Sequence, residues 1–467
     1  MVLDITNMLW MALLLLVTYL FVGAIYRLYF SPLSKFPGPK LAALTLWYEF
    51  YFDVVQRGRF TFHLQELHEK YGPIIRINPY ELHVSDPEFT DELYGRPGRK
   101  QDKYDWSASM FGNSASVLAT VPHDHHRIRR SALSHYFSKQ SVTRLEPLVR
   151  ASIETLCKRI EGPYGFLKKE NFAPEWLKLQ MSESELSLLN KQFPFLIPFV
   201  TSLPRWAIKL VDGKGYIAHH VSFLENITAQ VEPIMAGDHK PSDTHPTIFH
   251  ELLSSTLPPS EKTLSRLLDE AQTLVAAGSI TTAHFLTTAT YHILQKLREE
   301  LRSAMPDLRA IPTTAVLESL PYFSAVVKEG FRISYGITAR LTHVSPDTAL
   351  LYKNHVIPPG TPVGMTSILQ HENESLFPNP KAFIPERWLG PDAQHLEKYL
   401  LNFSKGPRAC LGMTLAKTGI MLTMAALFGG RFEIKLWETR REDADVAHDF
   451  FSPSPKLDSE GVRVVVK

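Results

Sequence analysis

Hydrophobic and polar positions along the chain mark out one long apolar run, then a body where helical periods outnumber strand-like alternation. From Met8 to Tyr26 no residue is charged, and the run reads MLWMALLLLVTYLFVGAIY. A bilayer-spanning helix needs about 20 apolar residues, so the run predicts one. Its start carries Asp4 but no Lys or Arg, and no small-residue cleavage site follows, which favours an uncleaved anchor over a signal peptide. Arg27, Lys35 and Lys40 lie just after it, which by the positive-inside rule puts the rest of the chain in the cytosol. The expected organisation is an anchor helix over 1–30, a proline-rich hinge over 31–40 (SPLSKFPGPK) and one large domain over 41–467. Pro32, Pro37 and Pro39 fix φ and lack amide hydrogens, so the hinge is a stiff non-helical connector.

In the body, Ile74–Asn78 and Glu81–Ser85 read as short strands around Pro79. Leu145, Leu148, Val149, Ile153, Leu156, Cys157 and Ile160 fall on one helical face, which makes Cys157 a core residue. A longer helical run starts at Leu264 and reads as continuous to about Ser303. Its centre, Ala276 to Thr282, is poor helix material and suggests a functional groove. The last third predicts strands near Val356–Pro362 and Val462–Val466, a Pro-rich coil over Phe377–Pro391, and a helix over Leu411–Leu427. The expected fold class is mainly α with a small β subdomain.

Composition narrows the chemistry. The 467 residues are 44% hydrophobic and 21% charged with a net charge of +2, which gives no bulk pull toward nucleic acid. The only cysteines are Cys157 and Cys410, so a disulfide framework and sites needing three or four thiolates are excluded.

The informative stretch is Phe403-Ser404-Lys405-Gly406-Pro407-Arg408-Ala409-Cys410-Leu411-Gly412. A single cysteine at a loop-to-helix junction meets helix-terminal amides that favour thiolate over thiol. Gly406 and Gly412 allow close backbone approach to a flat cofactor and to the next helix. Arg408 places a fixed cation two residues from the sulfur, suited to a carboxylate.

This stretch matches the F-x-x-G-x-R-x-C-x-G signature at every defining position and resembles the cytochrome P-450 family. Lys328-Glu329-Gly330-Phe331-Arg332 resembles its E-x-x-R element, and Pro385-Glu386-Arg387-Trp388 its PER-aromatic meander. The resemblance implies an ionic knot of Glu329, Arg332 and Arg387 that is structural. Ala277-Gly278-Ser279-Ile280-Thr281-Thr282 resembles the oxygen-binding centre of the family's long helix, implying catalytic roles for Gly278, Thr281 and Thr282. His126 and Arg130, with Arg340 and Arg408, match positions that reach the haem propionates, and Phe403 and Gly406 belong to the cofactor loop. Cys410 is then the axial ligand of a haem b (iron protoporphyrin IX). The pattern looks closest to fungal secondary-metabolite enzymes, the trichodiene oxygenase-like group among them. A thiolate pushes electron density onto iron and favours O–O cleavage, the chemistry of inserting oxygen into a C–H bond. The resemblance therefore implies a monooxygenase, an oxidoreductase acting on paired donors with molecular oxygen. It would hydroxylate or epoxidise a lipophilic metabolite such as a terpenoid, on the endoplasmic reticulum membrane. Its electrons would come from an NADPH-dependent reductase, for which Lys405 is a docking candidate.

Two departures stand out. Relatives carry Asp or Glu before the conserved threonine, where this chain has Ile280, which cannot pass a proton. Relatives also carry extra residues near 162–163 and near 293–295. A non-catalytic haem-binding remnant, or an isomerase or dehydratase needing no external electrons, are therefore alternative readings. Gly213-Lys214-Gly215 lacks the third glycine and the βαβ unit of a dinucleotide site.

Overall fold

The computed structural model describes residues 2–95, 98–161, 174–204, 206–208, 212, 216–238, 246–292 and 295–467. The rejected turn at 213–215 and the junctions at 162–163 and 293–294 lie outside them. Helix α1 (Val2–Ile25) carries the apolar run and widens into a π-turn over Tyr26–Phe30. Ile5–Phe30 is long and apolar enough to cross a membrane, with a mean hydropathy of 2.4 and no part buried. Its end is tied down: Arg27 Nη1 donates to the carbonyl of Leu44 (2.6 Å), at the end of α2 (Lys40–Leu44), and Arg76 Nη1 donates to the Arg27 carbonyl (2.6 Å). In the connector Leu33 and Phe36 are buried, so this stretch is packed onto the body.

A five-stranded sheet runs in the order β1 (Ile74–Arg76), β2 (Leu82–Val84), β7 (Pro362–Gly364), β4 (His343–Val344) and β3 (Asp102–Lys103). Between them in sequence, β5 (Leu350–Tyr352) and β6 (His355–Ile357) form a separate hairpin. Only β2–β7 is parallel in this sheet, and on its far edge Lys103 pairs directly with His343. Antiparallel partners bring side chains within reach of one another, so this register places two basic residues together.

Helices dominate the rest. Those that position the site are α3 (Trp47–Phe50), α4 (His123–Ser134), α5 (Lys139–Glu161), α6 (Pro174–Gln192), α7 (Leu196–Ser202), α8 (Leu264–Tyr291), α9 (Gln295–Ala304), α10 (Pro321–Ser334) and α11 (Met413–Phe428). The largest apolar cluster joins α5, α8, α9, α10 and α11, with Cys157, Phe285, Leu297, Phe331, Leu422 and Met424 inside it. Burying each such side chain contributes about 1.5–3 kcal/mol. The contact of α8 with α10 is tight: a Cβ on Gly330 would come 2.7 Å from the Phe285 ring.

The expected continuous helix from Leu264 to Ser303 is corrected here. Helix α8 ends at Tyr291, with His292 N donating to the Ala289 carbonyl at 3.1 Å, and α9 begins separately at Gln295. The His292 ring stacks on Phe383 (centroids 5.0 Å, planes 3° apart), which draws the chain off the helix axis.

Candidate active site around Cys410

The cysteine loop is locked by short local bonds. Cys410 N donates to the Phe403 carbonyl at 2.7 Å, and Leu411 packs against an apolar cluster that includes Leu133, Leu267 and Ala271. The sulfur is exposed, yet protein crowds its surroundings. That crowding raises the thiol pKa, outweighing the Gly412 amide and the Arg130 charge that lower it. The Gly412 amide thus acts in the direction expected of a helix-terminal amide, and burial opposes it. Desolvation wins, and a thiolate here needs a further positive charge.

Around this loop the fold gathers basic side chains of one sign. His126 and Arg130 sit one turn apart on α4, and Arg130 Nη1 donates to the Ala409 carbonyl at 2.6 Å. Arg408 donates to three carbonyls, of Gln101 (3.2 Å), Thr120 (2.6 Å) and Val121 (2.6 Å), so its guanidinium is fixed against the start of β3. Lys103 and His343, which no sequence motif singles out, complete the group. Burial pushes Lys103 down to about 7, with Arg408 adding to the shift. Burial and the nearby Arg408 hold His126 and His343 at about 3, so both rings are neutral. Among the described residues, Lys103, Arg130 and Arg408 make no ion pair with a carboxylate, and the Nδ1 atoms of His126 and His343 are buried without a partner. Asp102 attracts Arg408 only from a distance. Three cations and two imidazoles beside a thiol form a donor set that fits a macrocycle with two carboxylates and a central metal.

Other expected residues fall elsewhere. Arg340 is bound to protein carboxylates: its Nε donates to Glu81 (2.7 Å) and its Nη2 to Glu49 (2.7 Å), both fully buried. Its charge is already matched, in a network that continues through Lys191 of α6 to Glu49 and Asp53 (2.7 Å each). Gly406 is required, with φ +68°, but a Cβ there would overlap the Tyr94 carbonyl, so the close approach is to protein rather than to a cofactor. Phe403 rests on Phe331 (centroids 5.0 Å) and joins the core edge. Lys405 faces Asp91 at 3.3 Å, which partly neutralises it as a docking charge.

Glu329, Arg332 and Arg387 are brought together. Arg332 makes a two-point contact with Glu329 (3.0 and 2.8 Å), and Arg387 Nε lies 3.4 Å from the same carboxylate. Trp388 Nε1 and the Ile384 amide donate to it at 2.9 Å each, while Arg332 also reaches the carbonyls of His371, Pro380 and Ala382. Arg332 thereby ties the meander to α10.

On α8, Ala277 and Gly278 are exposed, and a Cβ on Gly278 would meet nothing within 4 Å. Thr281 Oγ1 donates to the Ala277 carbonyl at 2.8 Å, and Thr282 is half-buried beside it. The helix stays α-helical through this stretch.

Comparison with known proteins agrees with this geometry. The family profile described as Cytochrome P-450 matches residues 163–459. The tryptophan 6-hydroxylase fscE of Fusarium equiseti is 42% identical over 483 aligned positions, covering 95% of this chain and 94% of its own. The N-acetyltryptophan 6-hydroxylase ivoC of Emericella nidulans is also 42% identical, covering 97% of this chain and 96% of its own. Of solved structures, retinoic acid bound cyanobacterial CYP120A1 shares the fold at a TM-score of 0.64 with 18% identity, over 86% of this chain and 93% of that one.

Proposed function

This chain belongs to the cytochrome P-450 family, and on that premise we propose that Cys410 is the axial ligand of its haem and that its substrate is an indole-bearing small molecule. The protein is a haem monooxygenase that takes molecular oxygen, a small-molecule substrate and electrons from a redox partner. Thiolate-bound haem supplies the iron and the electron push for O–O cleavage. The chain's own part is binding, orientation and proton supply.

The observation that carries the site is the unmatched basic group. Lys103, Arg130 and Arg408, with the neutral rings of His126 and His343, are poised to clasp two carboxylates beside the sulfur. Arg130 spends one donor on a backbone carbonyl and Arg408 three, which sets their orientation and leaves further N–H groups for the carboxylates. The pair Glu329–Arg332 with Arg387 acts at one remove, holding the meander that backs the cysteine loop. Gly278 keeps space open along α8, and the Thr281 hydroxyl hands protons on. Because Ile280 holds none, they are resupplied from water.

The indole reading rests on the two relatives named as hydroxylases of tryptophan and N-acetyltryptophan. Its test is full-length protein in microsomes with a fungal NADPH-dependent reductase, offered both amino acids and a terpenoid panel. Ring-hydroxylated tryptophan or N-acetyltryptophan, formed only with NADPH, supports it; terpenoid products alone would replace it. A thiolate-type ferrous carbonyl spectrum without any turnover would favour a non-catalytic remnant. One observation speaks for that second reading. The alignment to the first relative has 483 positions against 467 residues here, so the relative carries segments this chain lacks.

For location we infer the endoplasmic reticulum, with the body on the cytosolic side. Beyond α1, Trp47 and Phe195 are exposed aromatics (61% and 63%), and Trp47 lies three residues after Leu44, to which the end of the anchor is stapled. Trp47 and Phe195 are linked through Phe193 at ring separations of 6.1 and 6.0 Å. Aromatic residues of this kind favour the membrane–water interface.

A further inference from the structure

The loop over residues 109–122 is pinned to one face of α8 by three successive side chains. Asp269 accepts the Ala115 amide (2.9 Å), Glu270 accepts the Val117 amide (3.1 Å), and Thr273 meets Asn113 (2.6 Å). The third contact fixes more than position. Thr273 Oγ1 already donates its hydrogen to the Asp269 carbonyl at 2.9 Å, so it has only lone pairs to offer Asn113. In this arrangement the Asn113 nitrogen faces that oxygen and donates to it. That leaves Asn113 Oδ1 as an acceptor without a partner, on a residue only 3% exposed. Buried polar atoms are nearly always bonded, so an orphan marks a place where a water, an ion or a ligand group can donate.

Its surroundings suit an aromatic one. Thr273 lies one turn, about 6 Å along the axis, before Ala277 and the open space at Gly278. At the tip of the same loop Phe111 meets Phe451 edge-to-face (centroids 4.9 Å), and the Phe451 carbonyl accepts the Thr338 amide at 3.1 Å. Phe451 is the turn of a hairpin of His448–Phe450 with Ser452–Ser454, so the loop, this hairpin and the segment after α10 meet around it. We propose that Asn113 is a specificity residue whose Oδ1 accepts the ring N–H of a planar heteroaromatic substrate, with Thr273 as the positioning residue that aims it. This rests on the indole reading of the same site.

The test is spectral titration of the haem-loaded full chain with two isomers, 3-methylindole, which keeps the N–H, and 1-methylindole, which lacks it. The expected result is about tenfold tighter binding of 3-methylindole, the worth of one buried hydrogen bond. Asn113→Leu should erase the preference by weakening 3-methylindole alone. Thr273→Val should narrow it, since the amide is then free to turn. Asn113→Ala repeats the measurement should the leucine variant lose its thiolate-type carbonyl spectrum. Equal binding of the isomers by the unmodified protein, or an undiminished preference in the Asn113 variants, overturns the proposal. Isomer discrimination without hydroxylation of tryptophan or N-acetyltryptophan would sink the substrate reading and leave Asn113 standing.

Discussion

Lys103 shows what one side chain reveals about the counter-charge its site calls for. Burial and Arg408 hold it at about 7 in the folded chain, whereas an unfolded lysine keeps its proton to about 10.4. Between those values the unfolded state binds more protons, so stability of the haem-free protein should rise with pH. Two carboxylates beside Lys103 would restore its proton, and the rise should vanish on loading with haem. Thermal midpoints of both forms from about pH 7 to 9 check this; identical slopes would remove Lys103 from the site. Ile280 makes the second residue-scale prediction. Ile280→Glu should lower the peroxide released per product formed, read by parallel assays of peroxide, NADPH and product; an unchanged ratio counts against a proton-supply defect. At this scale the sequence was informative where a motif names its residue, as with Cys410. It was silent on Lys103 and His343, because their meeting depends on a cross-strand register that no local pattern encodes. It was silent too on the carboxylate partners of Arg340, because Glu49 and Glu81 lie far upstream and come near only on folding.

Among elements, the contact of α10 with the meander is the most exposed to single changes. Glu329 and Arg332 are fully buried and share one carboxylate with Arg387 and Trp388. Glu329→Gln should destabilise the fold by about 3–5 kcal/mol, because both arginines lose their counter-charge. Loss of haem-loaded protein and a lowered denaturant midpoint would register it, and a change below about 1 kcal/mol would contradict the network's role. Gly406→Ala should likewise distort the cysteine loop, since a Cβ at φ +68° would overlap the Tyr94 carbonyl. The carbonyl spectrum would then shift toward the inactive, non-thiolate form. Helix positions were legible because amphipathic spacing is local: the helix containing Cys157 and the one after Cys410 lie within a few residues of their expected bounds. The break after Tyr291 was not, since it arises from His292 stacking on a ring some ninety positions later.

At the scale of the whole molecule, the mainly α fold with a small sheet was readable from periodicity and the family signature together. Where the body rests on a membrane was only half readable: the apolar run is contiguous, but Trp47, Phe193 and Phe195 gather only on folding. Deleting residues 1–30 should leave residual binding to phosphatidylcholine vesicles, and adding Trp47→Ser with Phe195→Ser should abolish it, as measured by flotation. Complete release by the deletion alone would assign all attachment to α1.

The pairing of Lys103 with His343 also bears on how the protein matures. Its two strands lie about 240 residues apart in the chain, and such non-local closure is slow compared with helix formation. The prosthetic group's acidic arms therefore meet a finished clamp only late in synthesis. Capture of the pigment reports that the last sheet edge has zipped shut.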